Sequence, residues 1–136
     1  MATIMQIANA DRNLSSFSRA LKMSGLENEL NEIGPFTILG PVNLAFERMA
    51  PNFEQLLSPE NRPKLIDLLS NYVLQGKKML SDFRDGRKLA TINGKEVAVV
   101  IKNGEIRVNG ARILAKDRQG KNGVIHTLDS VYTLPE

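Results

Sequence analysis

Four Asn-Gly pairs, at 93–94, 103–104, 109–110 and 122–123, crowd into one short part of the chain. Both residues of such a pair tolerate positive φ, which the tight turns of two-stranded hairpins require. Around these pairs the hydrophobic period is two: Val97, Val99 and Ile101 alternate with Glu96, Ala98, Val100 and Lys102, the pattern of a strand with one buried face. Turns this closely spaced leave no room for crossover helices. The stretch from residue 87 onward is therefore expected to be an antiparallel meander and not a parallel sheet.

The preceding half reads as helical. Ile4, Ile7 and Ala8 fall at helical spacing, and Leu14, Phe17 and Leu21 repeat the pattern behind Asp11 and Asn13, either of which can cap. Gly25 interrupts the run; Leu26, Leu30 and Ile33 form a second stripe, which Gly34-Pro35 stops. Phe36-Thr37-Ile38-Leu39 is short, apolar and β-prone, predicting a buried strand that ends at Gly40-Pro41. Asn43 is expected to cap a turn carrying Ala45, Phe46 and Met49, and Pro51-Asn52 to open a segment with Phe53, Leu56 and Leu57. Ser58-Pro59-Glu60 has the cap, first-position proline and early acid of a helix start, with Pro63 dividing or tightening the next turn. Leu65, Ile66, Leu68, Leu69, Tyr72 and Val73 supply a wide apolar face, and Gly76 is expected to end that helix. The predicted class is α+β, and 136 residues favour one domain, 1–136, around one core.

Composition works by exclusion. The chain has no cysteine, which removes disulfides, thiol nucleophiles and thiolate metal sites. With one histidine, His126, and no carboxylate cluster at metal-ligand spacing, no metal centre, no cofactor and no enzymatic activity are expected. Asp82 and Asp85 are close in sequence but lie in a turn-like stretch. The longest apolar run, Val97 to Ile101, is far shorter than the ~18 residues of a membrane helix. The first ten residues lack a basic start and include Gln6 and Asn9, so no signal peptide is expected and the compartment is left open. Net charge is +3, divided as −1 over residues 1–83 and +4 over 84–136. The basic residues of the second half alternate with apolar ones, and aromatic side chains are scarce there. A solvated strand face is expected, not a nucleic-acid surface.

Two longer boxes add what periodicity does not. "GPFTILGPVNLAF", residues 34–46, and "NGVIHTLDSVYTLP", residues 122–135, resemble the two signature boxes of fasciclin-like domains, and the intervening "LLSPENRPKLIDLLSNYVLQGK", "SDFRDG" and "VNGARIL" are similar as well. The resemblance implies a wedge of helices packed on a mainly antiparallel β-sandwich. It also implies a non-enzymatic module for cell-surface adhesion or protein association, extracellular, periplasmic or at the cell surface. The implied partner is a cell-surface or matrix protein, or a polysaccharide.

The resemblance also frames individual residues. In a strand, Val124, His126 and Leu128 share a face, so His126 is expected to be a strut that hydrogen-bonds against an apolar surface. A triad with Asp129 and Ser130 is disfavoured because alternation aims Asp129 away from the ring. Asn43, Asn122 and Gly123 of the two boxes are expected to be structural. Where the family often carries a Tyr-His pair associated with receptor binding, this chain has Asn71-Tyr72, and Tyr72 is expected to pack in the core with its hydroxyl at the edge. The element with which animal matrix members engage integrins aligns with Ala115-Lys116-Asp117-Arg118, keeping the aspartate and replacing isoleucine by arginine. Candidate binding residues are therefore Asn71, Tyr72, Asp82, Asp85, Asp117 and Arg118, the last four in the exposed loops 81–87 and 117–121. The alternative is a small-ligand or lipid carrier with a cleft between helices and sheet, lined by Met23, Met49 and Met79.

Overall fold

Thr3 begins the first helix, α1 (Ile4–Ala10): its hydroxyl accepts from the Gln6 amide at 3.2 Å, and the Gln6 side-chain oxygen accepts from the Thr3 amide at 2.9 Å, a reciprocal cap that satisfies both donors. The computed structural model describes residues 1–32, 34–49, 52–132 and 134; Ile33 and Pro51, placed above in a stripe and at a helix start, lie outside them. Asp11 caps a single turn at Arg12–Leu14, its carboxylate accepting from the Asn13 amide at 2.8 Å. Helix α2 (Ser15–Ser24) follows, and Gly25 at φ +85° turns the chain directly into α3 (Leu26–Leu30), a conformation that glycine adopts without steric cost. Then come α4 (Asn43–Glu47), α5 (Asn52–Leu56) and α6 (Arg62–Ser70).

Two expected helix boundaries move. Ser58 makes no cap; its hydroxyl donates to the Gln55 carbonyl, Pro59–Asn61 forms a 3₁₀ turn, and α6 begins at Arg62 with Pro63 in its first turn. The helix expected to reach Gly76 ends at Ser70, and Val73–Gln75 forms a strand, β2, against Phe36–Ile38 of β1 (Phe36–Pro41). Val73 and Leu74 fit either structure locally, and their cross-strand partners Ile38 and Thr37 decide for the strand, with Tyr72 in the turn before it.

Strand order in the first sheet is β2-β1-β8-β7, where β7 is Arg118–Gly120 and β8 is Gly123–Leu128. The β1–β8 pair runs parallel, from Phe36 opposite Gly123 to Pro41 opposite Leu128. It is the exception to the antiparallel pattern, and its two strands belong to the two boxes. All six residues of β8 are buried, because helices cover one face of this sheet and chain covers the other.

The second sheet is the first part of the predicted meander: β3 (Lys88–Ala90), β4 (Glu96–Lys102), β5 (Glu105–Val108) and β6 (Ala111–Arg112), each antiparallel to the next. Residues 118–128, expected to continue it, instead join the first sheet, where β8 runs parallel to β1. Asn103 (φ +53°) and Gly104 (+79°) turn β4 into β5, and Asn109 (+47°) and Gly110 (+88°) turn β5 into β6, as two-residue hairpins require. Val97 and Val99 are buried while Val100 is half exposed, so β4 alternates as read. Bridges at Leu74–Thr91 and Ile113–Leu128 join the sheets. The core between helices and first sheet is filled by Phe17, whose ring lies 6.2 Å from Tyr72 and 6.3 Å from Phe46, together with Leu14, Leu21, Leu30 and Ile38.

Candidate functional site

His126 is buried at the centre of β8, on the face of the sheet away from the helices. The chain leaving β2 crosses this face as a strap, residues 76–83. Three polar side chains from successive parts of the sheet hold its backbone. The Thr37 hydroxyl donates to the Gly76 carbonyl at 2.7 Å and accepts from the Lys78 amide at 2.7 Å. The His126 Nε2 meets the Lys78 carbonyl at 2.7 Å, and the Asp117 carboxylate accepts from the Leu80 amide at 2.7 Å. The Asp117 amide in turn donates to His126 Nδ1 at 3.1 Å. An amide only donates and a carbonyl only accepts, so the ring is neutral with its proton on Nε2. Burial pushes its pKa below the ordinary 6.5, against the opposing pull of the Lys78 carbonyl and the Asp117 carboxylate. The Phe83 ring stands edge-on to it, centroids 5.1 Å apart.

No catalytic geometry forms around this histidine. Ser130 donates to the Asp129 carboxylate at 2.6 Å, and the same oxygen accepts from the Arg112 amide at 2.9 Å. Burial works against the charged Asp129, but these two donors and the Arg107 and Arg112 guanidiniums hold its carboxyl below the usual range. Serine and aspartate pair with each other, on the β6 side, and leave the imidazole to the strap. Among the described residues no three His, Asp or Glu side chains converge as a metal site would require.

Asn71 and Tyr72, two of the candidate binding residues, are both buried. The Tyr72 hydroxyl donates to the Tyr132 carbonyl at 2.6 Å and accepts from the Tyr132 amide at 2.8 Å; the Tyr132 hydroxyl donates to the Asn71 carbonyl at 2.6 Å. Burial pushes both phenols well above the ordinary value of 10. Tyr72 was expected to keep its hydroxyl at the core edge; it lies wholly inside.

The four loop residues reach the surface with their polar groups already engaged. Asp82 accepts from the Met79 amide at 3.0 Å and Asp85 from the Ile101 amide at 2.8 Å. Arg118 forms an ion pair with Asp11, and Asp117 anchors the strap as described. The first-box Asn43 does not cap its own helix: its side chain accepts from the Ser16 amide at 2.9 Å and donates to the Arg12 carbonyl at 2.7 Å, closing the start of α2. Asn122 accepts from the Ile4 amide at 3.0 Å and donates to the Leu30 and Glu32 carbonyls at 2.8 and 3.0 Å. One buried amide thus serves the start of α1 and the end of α3. The Asn122-Gly123 pair is correspondingly not a two-residue turn centre, since Gly120 and Gly123 are the paired residues. A Cβ on Gly123 would lie 2.0 Å from the Phe36 carbonyl oxygen, so parallel pairing at that point admits glycine alone.

Thr37 and Tyr132 were not singled out from sequence. A hydroxyl inside the apolar run Phe36–Leu39 was the available signal for Thr37; the partner of Tyr132 is sixty residues away and left none. The three methionines do not line one cleft: Met23 on α2 is 47% exposed, Met49 packs at the edge of the core, and Met79 is in the strap, across the sheet from the helices.

Fold and site together define an α+β domain of helices and two bridged sheets, whose buried polar side chains hold backbone in place. The fasciclin domain profile matches residues 12–134, and the chain belongs to the fasciclin domain family. It is 34% identical to the Synechocystis protein sll1483 over 98% of its own length and 74% of that protein. It is 29% identical to the transforming growth factor-beta-induced protein ig-h3 of Sus scrofa over 99% of its length, which is 20% of that protein. Among solved structures, the FAS1 domain pair from the insect cell adhesion molecule Fasciclin I superposes with a TM-score of 0.85 at 16% identity, covering 98% of this chain and 51% of that one. The family is associated with cell adhesion in homologues.

Proposed function

We propose that this chain is a non-enzymatic binding module for cell-surface adhesion or protein association, acting outside the cell or at its surface. The observation that carries this reading is family membership over residues 12–134. The engagement of both His126 nitrogens by backbone groups, and of Ser130 by Asp129, supports a role without turnover, since a general acid or base needs a nitrogen or oxygen free to meet substrate. The partner is a cell-surface or matrix protein, or a polysaccharide. The contact surface includes the exposed groups of the 81–87 loop, among them Ser81, Arg84 and Arg87, which stand on a turn that Asp82 and Asp85 make rigid.

The test is retention of cells of the encoding organism on immobilised folded protein, with heat-unfolded protein and uncoated polymer as controls. Retention by the folded form alone is expected. Equal retention on all three surfaces would overturn the adhesive reading.

A further inference from the structure

The inner face of the second sheet carries apolar rows. Val99, Val108 and Ala111 form one, and all three are buried. The next row outward is Ile101, Ile106 and Ile113, joined by the Ile101–Ile106 pairing and by the Ile113 amide donating to the Ile106 carbonyl at 3.0 Å. This row has core residues on one side only; all three side chains are partly exposed. Beyond it the fold leaves a concavity of about 340 Å³, walled by Ile106 and Ile113, by Leu80 of the strap and by Leu114, which is 41% exposed. Partly exposed branched side chains collected around one hollow differ from the singly scattered apolar residues of an ordinary surface.

Charge around the hollow is uneven. Arg112 and Lys116 stand at its rim, with Glu105 as the acidic member. The Glu105 carboxylate is engaged by Arg107 at 2.9 Å and by Arg112 at 3.5 Å. Among the described residues no carboxylate lies within 4 Å of the Lys116 ammonium. Four apolar side chains beside a rim with a surplus of positive charge complement an apolar group flanked by negative charge.

We infer that this hollow is a docking site for a partner protein's extended segment in which large apolar side chains are flanked by acidic residues. The apolar side chain seats against Ile106, Ile113 and Leu114, and the flanking carboxylates meet Lys116 and Arg112. The site rests on the binding-module reading and names the chemistry of its partner. It adjoins the 81–87 loop through Leu80, which shares a 3₁₀ turn with Ser81 and Asp82, and it takes in Lys116 of the 115–118 element, but none of the six candidate binding residues lines it.

The experiment is an NMR titration of the ¹⁵N-labelled whole chain with the peptide acetyl-Asp-Leu-Phe-Glu-amide, its charge-reversed counterpart acetyl-Lys-Leu-Phe-Lys-amide, and decanoate. Saturable amide shifts confined to residues 80, 104–106 and 112–116 are expected with the acidic peptide. Leu114→Asp, at an exposed position that leaves the core intact, and Lys116→Glu should each weaken binding by about tenfold or more. No shifts at these residues, equal response to the charge-reversed peptide, or response to decanoate alone would overturn the inference. Cell retention measured with Leu114→Asp separates the two readings. Retention by wild type and variant alike keeps adhesion and removes the hollow from it; no retention by wild type removes adhesion while the titration still decides the hollow.

Discussion

The Tyr72 hydroxyl both donates to the Tyr132 carbonyl and accepts from the Tyr132 amide, at 2.6 and 2.8 Å, with the two rings 4.4 Å apart. One side chain thereby satisfies both backbone groups of a residue in the segment after β8 and fastens it to the end of α6. Because Tyr132 also reaches back to the Asn71 carbonyl, the two residues form a closed, buried polar ring of contacts.

Tyr72→Phe leaves the Tyr132 amide and carbonyl without their partner, and should lower stability by about 1–3 kcal/mol. Tyr132→Phe should cost a similar amount through the Asn71 carbonyl. The double variant should lose less than the sum, because the contacts belong to one network. Urea unfolding of the three variants measures this; strict additivity would show that the two hydroxyls act independently.

His126→Ala removes the donor to the Lys78 carbonyl and the acceptor of the Asp117 amide, and should cost about 1–3 kcal/mol for each buried group left unpaired. The pH dependence has a defined sign. The folded ring stays neutral below its ordinary value of 6.5, whereas the unfolded chain takes up a proton there, so stability is complete above 6.5 and falls as pH decreases through it. Urea midpoints between about pH 7.5 and 5.5 should decline in the wild type by more than in His126→Ala. Parallel curves would locate the dependence elsewhere.

Asn122→Ala orphans the Ile4 amide and the Leu30 and Glu32 carbonyls together. A loss of about 2 kcal/mol or more is expected, and amide exchange should quicken across α1 before it does in β4. Uniform exchange in both elements would mean that α1 opens only with the whole domain.

Asp117→Ala should act on stability and not first on adhesion, because its carboxylate holds the Leu80 amide. A loss of about 1–3 kcal/mol is expected from the freed amide, with cell retention preserved at temperatures where the variant remains folded. Retention lost at full stability would restore Asp117 as a direct contact.

How much of this was legible in the residues follows from the range of each signal. Helix stripes such as Leu14-Phe17-Leu21 and the alternation of Val97 and Val99 report burial within one or two turns of chain, and the Asn-Gly pairs at 103–104 and 109–110 report φ at two adjacent residues. These local constraints placed the helices ahead of an antiparallel meander. The two boxes named the family, but not why Asn43 and Asn122 stand in them.

Tertiary structure alone decided the rest. Whether Val73-Leu74 continues a helix or becomes a strand depends on β1 lying alongside, and whether His126 is a reactive group or a strut depends on the backbone of Lys78 and Asp117 arriving at its two nitrogens. Asn122, Thr37 and Tyr132 satisfy backbone groups that lie far off in sequence. A buried polar group must be paired where the fold closes over it, and which donor arrives there is set by the packing of distant segments, on which no local period carries information.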